Sequence, residues 1–452
     1  MLVLQRIIRC LIRTTHLHLE YCHVRKAKMN TLAKTYQIEP KLMEKFVTEE
    51  LKILVAIFEK NKYEIRIAGG AVRDLLSGEK IPDDVDLATT ATPTEMKRMF
   101  AEEQIRTFNE QGEKHGTVTA RINDKENFEV TTLRIDKVTD GRHAEVEFTK
   151  DWMIDAERRD LTINSLFLDL DGTVYDFFGG KEDLDIQRIA FVGSADTRIK
   201  EDYLRILRYF RFYGRIAKDG SIHEEETLKA IENNKEGLGQ ISGERIWSEW
   251  KKILSGPMGG PLTLKMVELG LGPFIGLSEN LLTENFENCW QVKKNSLHYI
   301  TLLVSLLKNR EDMMQLHYRL KMSAYERDMG LFLLEHRDVL PDLKYWQKIV
   351  ILHKINRDYI EQLIKSNLAV NESLLEEFQS WEVPKCPING RDLHETNLIP
   401  RGKLIGVCLN KLTEIWIDSD FKIDKDQLLN VELPKIGENL RMQQSPNKKR
   451  KK

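Results

Sequence analysis

Short apolar runs separated by polar turns fill the first part of the chain, and longer runs with helical spacing fill the rest. Ile65–Ala68, Thr117–Ile122, Phe128–Leu133, Glu145–Phe148, Leu166–Leu168 and Val174–Phe177 predict strands. Leu42–Lys60 and Pro93–Glu102 predict helices. From about residue 181 the pattern is almost wholly helical, as in Glu201–Ile216, Glu224–Asn233, Arg245–Leu254, Leu297–Leu307 and Glu326–His336. The cluster Gly256-Pro257-Met258-Gly259-Gly260-Pro261 breaks helices and predicts a boundary between two helical segments. The expected class is α+β. A small mixed α/β head over 30–180 is followed by helical segments over 181–255, 256–340 and 341–440.

Composition narrows the class without changing it. The chain of 452 residues is 41% hydrophobic and 31% charged, which excludes a fibre or a wholly disordered chain. No apolar run reaches the ~18 residues of a membrane span, so no membrane partner is expected. Five scattered cysteines without a CxxC pair argue against a disulfide framework or a zinc site.

Charge is uneven. Residues 1–29 hold six Lys/Arg and one acid, Glu20, and residues 441–452 hold six more and no acid. Taking those twelve and that one from 69 basic and 71 acidic residues leaves 57 against 70 for 30–440. A polyanion partner would therefore need a local basic surface. The amphipathic, Arg-containing start over 1–29 reads as a mitochondrial presequence; the alternative is a helix packed on the body. Initiation at Met29 would give a cytoplasmic or nuclear form, and Lys448–Lys452 is either a nuclear address or a solvated tail.

Candidate chemistry lies in four motifs. In Ile67-Ala68-Gly69-Gly70-Ala71-Val72-Arg73-Asp74 a strand meets two glycines and a helix, a turn suited to phosphate, with Arg73 adding donors. In Asp84-Val85-Asp86 the two carboxylates share a face if extended and call for a cation such as Mg²⁺. Arg158-Arg159-Asp160-Leu161-Thr162-Ile163-Asn164 could bridge a triphosphate or form a salt-bridged turn. On a helix through Glu201-Asp202-Tyr203-Leu204-Arg205, Asp202 and Arg205 are neighbours, offering an acceptor and donors to a base edge; Arg208 and Arg211 continue the line. Taken alone, each motif also has a plain structural explanation.

In this order the motifs closely resemble the class II tRNA nucleotidyltransferases, the CCA-adding enzymes that share a core with bacterial poly(A) polymerases. Arg188-Ile189-Ala190-Phe191-Val192-Gly193 and Ser242-Gly243-Glu244-Arg245-Ile246-Trp247 agree with it, and the resemblance covers roughly 62–255. With the presequence, it suggests the eukaryotic mitochondrial type. It implies a palm-like head, a neck, a body and a tRNA-binding tail in a seahorse-like arrangement. Asp84 and Asp86 would be catalytic and hold two Mg²⁺ ions, with Glu129 a weaker third carboxylate. Gly69, Gly70, Arg73 and Arg159 would meet the phosphates of CTP or ATP. Asp202 and Arg205 would read the base, with Arg208 and Arg211 as further nucleotide contacts.

By the same resemblance, Arg134–Glu145 would be the family's mobile loop, and the partner would be tRNA, held at its 3′ end and elbow. Lys293, Lys294, Arg319, Lys321 and Arg327 could serve that grip only if folding gathers them. Ser165 stands where the family pattern ends in Ala. A poly(A) polymerase, an A-only or CC-only enzyme and a non-catalytic RNA-binding protein are the alternatives. Monomer and dimer are both left open.

Overall fold

The computed structural model describes residues 33–437 apart from 79–80, 83, 109–111, 140–143, 294–296, 339–340, 368–371 and 401. The expected presequence 1–29 with Met29, the basic tail 441–452, Asp83, Asp140, Gly141, Arg142 and Lys294 lie outside the described residues. The chain divides into two compact units, Met1–Phe274 and Ile275–Lys452.

The first unit is built on a mixed sheet. Its strands are β1 (Lys34–Gln37), β2 (Ile65–Ala68), β3 (Asp86–Thr89), β4 (Arg106–Phe108), β5 (Thr117–Ile122), β6 (Glu126–Thr132), β9 (Phe167–Leu168) and β10 (Thr173–Asp176). Their spatial order is β1-β10-β9-β2-β3-β6-β5-β4, with β3 and β6 parallel and the other neighbours antiparallel. The remaining strands, β7 (Arg134–Thr139) and β8 (Ala144–Phe148), form a separate hairpin. One buried cluster joins Leu51, Leu54 and Phe58 to Val72, Leu87, Met96, Phe100, Val118 and Val130. A second, smaller cluster contains Ala68, Ala88, Leu133, Trp152, Ala156 and Phe167.

Local chemistry sets the helix ends. Leu42–Lys60 divides into Pro40–Phe46 and Glu49–Lys60, because the Thr48 hydroxyl accepts from the Leu51 N–H and starts a new helix. Thr92 and Glu95 close a capping box ahead of Pro93–Glu102. The helix expected over Glu201–Ile216 is two helices, Ala195–Glu201 and Arg205–Ile216. Asp202 is extended between them, and its carboxylate accepts from the Leu204 N–H at 3.1 Å. That local bond competes with helix continuation.

The Gly-Pro cluster separates the helices Gly243–Leu254 and Gly259–Glu268. A Cβ at Gly259 would lie 2.6 Å from the Leu254 carbonyl oxygen, so the close turn requires glycine. Both helices stay in the first unit; the division falls instead at 274/275.

The described part of the second unit is helical, from Thr283–Lys293 to Lys403–Asp418 and a final turn at Leu428–Glu432. Capping boxes at Asn309/Asp312, Ser323/Glu326 and Asn389/Asp392 start three of its helices. Leu393, Cys408, Leu412, Trp416, Ile417, Leu428 and Leu433 form one of its cores.

Candidate active site

Strand register builds an acidic row. Asp86 opens β3 and lies opposite Glu129 of parallel β6, and Glu129 lies opposite Thr119 of β5. Paired residues project from one face of a sheet, which puts Glu129 on the same face as Asp86. Asp84 lies just before β3 and is exposed. Asp86 is itself exposed at the strand end, but partial desolvation raises its pKa from the ordinary carboxylate value; Asp84 and Glu129 raise it further, and Arg159 opposes them. Among the described residues no three His, Cys, Asp or Glu side chains are gathered tightly enough to be a metal cage. Carboxylates that disfavour one another's charge still fit Mg²⁺, which is commonly held by one or two of them together with substrate phosphates.

Beside this row is the glycine turn. Gly69 has φ 67° and donates its N–H to the Leu166 carbonyl. The positive φ favours glycine there, and a Cβ would also crowd Arg159 Nη1 at 3.1 Å. Arg159 donates to Asp155 Oδ2 through Nε at 3.3 Å and Nη2 at 3.1 Å, and through Nη1 to the Asn164 carbonyl at 3.2 Å. Its guanidinium lies 4.7 Å from the Phe167 ring centroid. Burial opposes charge on Asp155, but Arg159 and Arg158 outweigh it and hold the pKa below the ordinary carboxylate value.

Arg73, expected to add donors at the turn, reaches it from a buried position, with Nη2 3.7 Å from where a Cβ on Gly70 would be. It is 4% exposed, donating Nη1 to Asn164 Oδ1 at 2.5 Å and Nε to Asp74 Oδ1 at 2.9 Å. Asn164 in turn donates to Asp160, which accepts from Arg208 Nε at 2.6 Å. Ser165 is fully buried, and its hydroxyl donates to the Thr162 carbonyl at 2.8 Å, which is how this site accommodates a serine.

Asp202 and Arg205, expected as neighbours on one helix, direct their side chains to different partners. Arg245 takes Asp202 at 2.7 Å, while Arg205 donates to Glu201 at 2.7 Å and to the Arg158 and Arg198 carbonyls at 2.7 and 3.1 Å. The break at Asp202 turns the two side chains to different partners. Arg211 is held by both Glu249 oxygens at 2.9 Å. Arg188 pairs with Asp183 at 2.9 Å and Glu224 at 2.5 Å, a structural role for its motif. The salt-bridged turn offered for Arg158-Arg159 is present through Asp155, whereas sequence reasoning missed Asn164, Glu201, Arg245 and Glu249 as holders of the site. Arg245 had a signal, since it lies in the Ser242–Trp247 motif.

Arg134–Glu145 falls largely in the β7–β8 hairpin, with a register irregularity between Asp136 and Val138. Arg134 bonds the His115 carbonyl and pairs with Asp136 at 3.2 Å. Gly112–His115 forms a short 3₁₀ turn, tied by Lys97–Glu113 at 2.8 Å.

Comparison with known proteins follows this layout. Residues 65–190 match the Poly A polymerase head domain, and 223–275 match a domain described as a probable RNA and SrmB-binding site of polymerase A. The mitochondrial CCA tRNA nucleotidyltransferase 1 of Danio rerio is 48% identical over 404 residues, covering 88% of this chain and 93% of that protein. The chain belongs to the CCA tRNA nucleotidyltransferase family. The Homo sapiens member, also named mitochondrial, is 48% identical over 407 residues, covering 88% of this chain and 92% of its own. The Bacillus stearothermophilus CCA-adding enzyme in complex with CTP superposes with a TM-score of 0.71 at 24% identity, over 87% of this chain and 98% of that one. At that identity the superposition establishes the CCA-adding enzyme fold. The α+β class, a mixed-sheet head followed by helices, agrees with it.

Proposed function

We propose that this chain is a template-independent nucleotidyltransferase that adds C, C and A to tRNA 3′ ends from CTP and ATP. The observation that carries the reading is the acidic row of Asp84, Asp86 and Glu129 beside the Gly69–Arg159 turn, in a member of this family. The turn and the first N–H groups of the Gly70–Ser77 helix suit a triphosphate. Arg159, fixed by Asp155, adds a preorganised charge there. Gly69, Gly70 and Arg159 would thus orient the nucleotide with its α-phosphate toward Asp86.

Asp84 and Asp86 would hold the Mg²⁺ ions, and Glu129 would add charge from the neighbouring strand. Bound Mg²⁺ lowers the pKa of the RNA 3′-hydroxyl and offsets charge on the triphosphate and leaving pyrophosphate. Arg73 and Arg208 would support the site through Asn164 and Asp160, and Arg211 lies on the same Arg205–Ile216 helix as Arg208. Base reading by Asp202 and Arg205 would require each to exchange its present partner, Arg245 or Glu201, for the base edge.

The deciding experiment incubates the protein with tRNA lacking CCA and single labelled nucleotides, followed by sequencing of the 3′ ends. Addition of C, C and A and then arrest supports the reading. The polymerase descriptions of the two domain matches favour one alternative, a poly(A) polymerase, and long A tracts would establish it. Mitochondrial placement follows from the names of the relatives and the expected presequence. A separate cytoplasmic or nuclear form from Met29 is proposed alongside it. Import of full-length and 29–452 forms would test both.

A further inference from the structure

Phe212 sits at the centre of a cluster that the chemistry above leaves unexplained. The residue is 3% exposed, yet three guanidinium groups lie over its ring, with carbons 4.5 Å (Arg211), 4.8 Å (Arg73) and 5.4 Å (Arg208) from the centroid. Arg73 comes from the helix that follows the glycine turn; the other two come from the same helix as Phe212. Like charges so placed repel. Carboxylates offset part of this: Asp74 pairs with both Arg73 at 2.8 Å and Arg215 at 3.0 Å, Asp160 with Arg208 at 2.6 Å, and Glu249 with Arg211 at 2.9 Å. Four guanidinium groups thus share three carboxylates in direct ion pairs.

An aromatic face attracts cations through its quadrupole while carrying no net charge. A fourth carboxylate at this position would cancel the positive field, and an aliphatic side chain would leave the repulsion unopposed. Arg73 Nη2 lies 3.7 Å from where a Cβ on Gly70 would be, so the cluster borders the turn proposed to receive the triphosphate. We propose that Phe212 is a positioning residue: its ring holds Arg73, Arg208 and Arg211 together without neutralising them, fixing positive charge beside the Gly69–Gly70 turn before a nucleotide binds. This inference rests on the nucleotidyl-transfer reading of the site. Because the effect acts through the triphosphate, it falls equally on CTP and ATP.

The test keeps the shape of the ring and removes its π density. Mono-, di- and trifluorinated phenylalanines are placed at position 212 of the full chain. KM for CTP and for ATP should rise together with fluorine number, by about tenfold at three fluorines, with kcat changing less. Binding of inorganic tripolyphosphate should weaken in the same series, while tRNA affinity and Tm stay level. Phe212→Leu should match or exceed the trifluoro result. A flat series, or a rise confined to one nucleotide, overturns the proposal. Failure of the wild type to bind CTP or ATP would instead defeat the nucleotidyl-transfer reading, and the tripolyphosphate series would still decide the role of Phe212.

Discussion

At Asp86 two neighbouring carboxylates, Asp84 and Glu129, oppose its charge, and the guanidinium that favours it, Arg159, already holds Asp155. Along the Arg205–Ile216 helix the situation is reversed. Arg205, Arg208, Arg211 and Arg215 each have a carboxylate within 3.0 Å: Glu201, Asp160, Glu249 and Asp74. Asp86 is therefore disfavoured as an anion by its neighbours, a position that gains from binding a cation. The helix holds its positive charge in paired, oriented form, which lowers the reorganisation needed when a nucleotide arrives. One region is poised to bind and the other to stay in place.

Removing charge from each region should separate the two roles most sharply. Asp86→Ala should lower nucleotide transfer by at least about a thousandfold, roughly 4 kcal/mol in the barrier. It should leave Tm unchanged or raised, because it relieves repulsion from Asp84 and Glu129. A marked fall in Tm would mean that the row is structural. Asp160→Asn should do the opposite. Asp160 is 7% exposed and anchors Arg208 and Asn164, so its loss should cost about 2 kcal/mol in urea unfolding, discounted for the partial exposure of Arg208. Unchanged stability there would break the contrast.

A finer effect is expected at the break between the helices. Arg245→Ala frees Asp202 without touching the acidic row. Discrimination of CTP and ATP from UTP and GTP should change by about tenfold, with turnover of CTP largely kept. Selectivity equal to wild type in single-nucleotide assays would remove Asp202 from base reading.

The same contrast explains what the sequence made legible. Five of the six strands read from the sequence, β2, β5, β6, β9 and β10, bury alternate or continuous residues, and the sixth, β8, was readable from its alternation alone. β1 and β4 were not: their burial patterns are mostly or wholly exposed, so they leave little apolar signal. The acidic row was legible in type, since Asp84-Val85-Asp86 is local, and Glu129 was reachable from its strand. The arginine helix was legible in composition and misread in partners. Asp202 is claimed by Arg245, 43 positions on, and the helix breaks at the capping carboxylate. Arg73 shows the same limit, because only the folded chain places Asn164 and Phe212 against it.

The smallest expected effect is on stability against pH, and its sign differs between the regions. Asp86 has a folded pKa above the ordinary value of about 3.9, so folding disfavours its charged form. That penalty is fully present above the folded pKa and is relieved as pH falls toward about 4. For Asp155 and Asp160, burial opposes charge, but Arg159 and Arg158 outweigh it for the first and Arg208 for the second, leaving both pKa values low. Their stabilisation is present above about 3.9 and is lost as pH falls through those depressed values. From about pH 6 to 4, metal-free wild type should therefore gain slightly in Tm relative to Asp86→Asn, before both lose stability in stronger acid. Mg²⁺ should abolish the relative gain, because a cation holding the Asp86 carboxylate competes with the proton. A wild type that instead loses Tm relative to Asp86→Asn over that window would show Asp86 to be stabilised as the anion, and the acidic row would then have no charge left for a cation to balance.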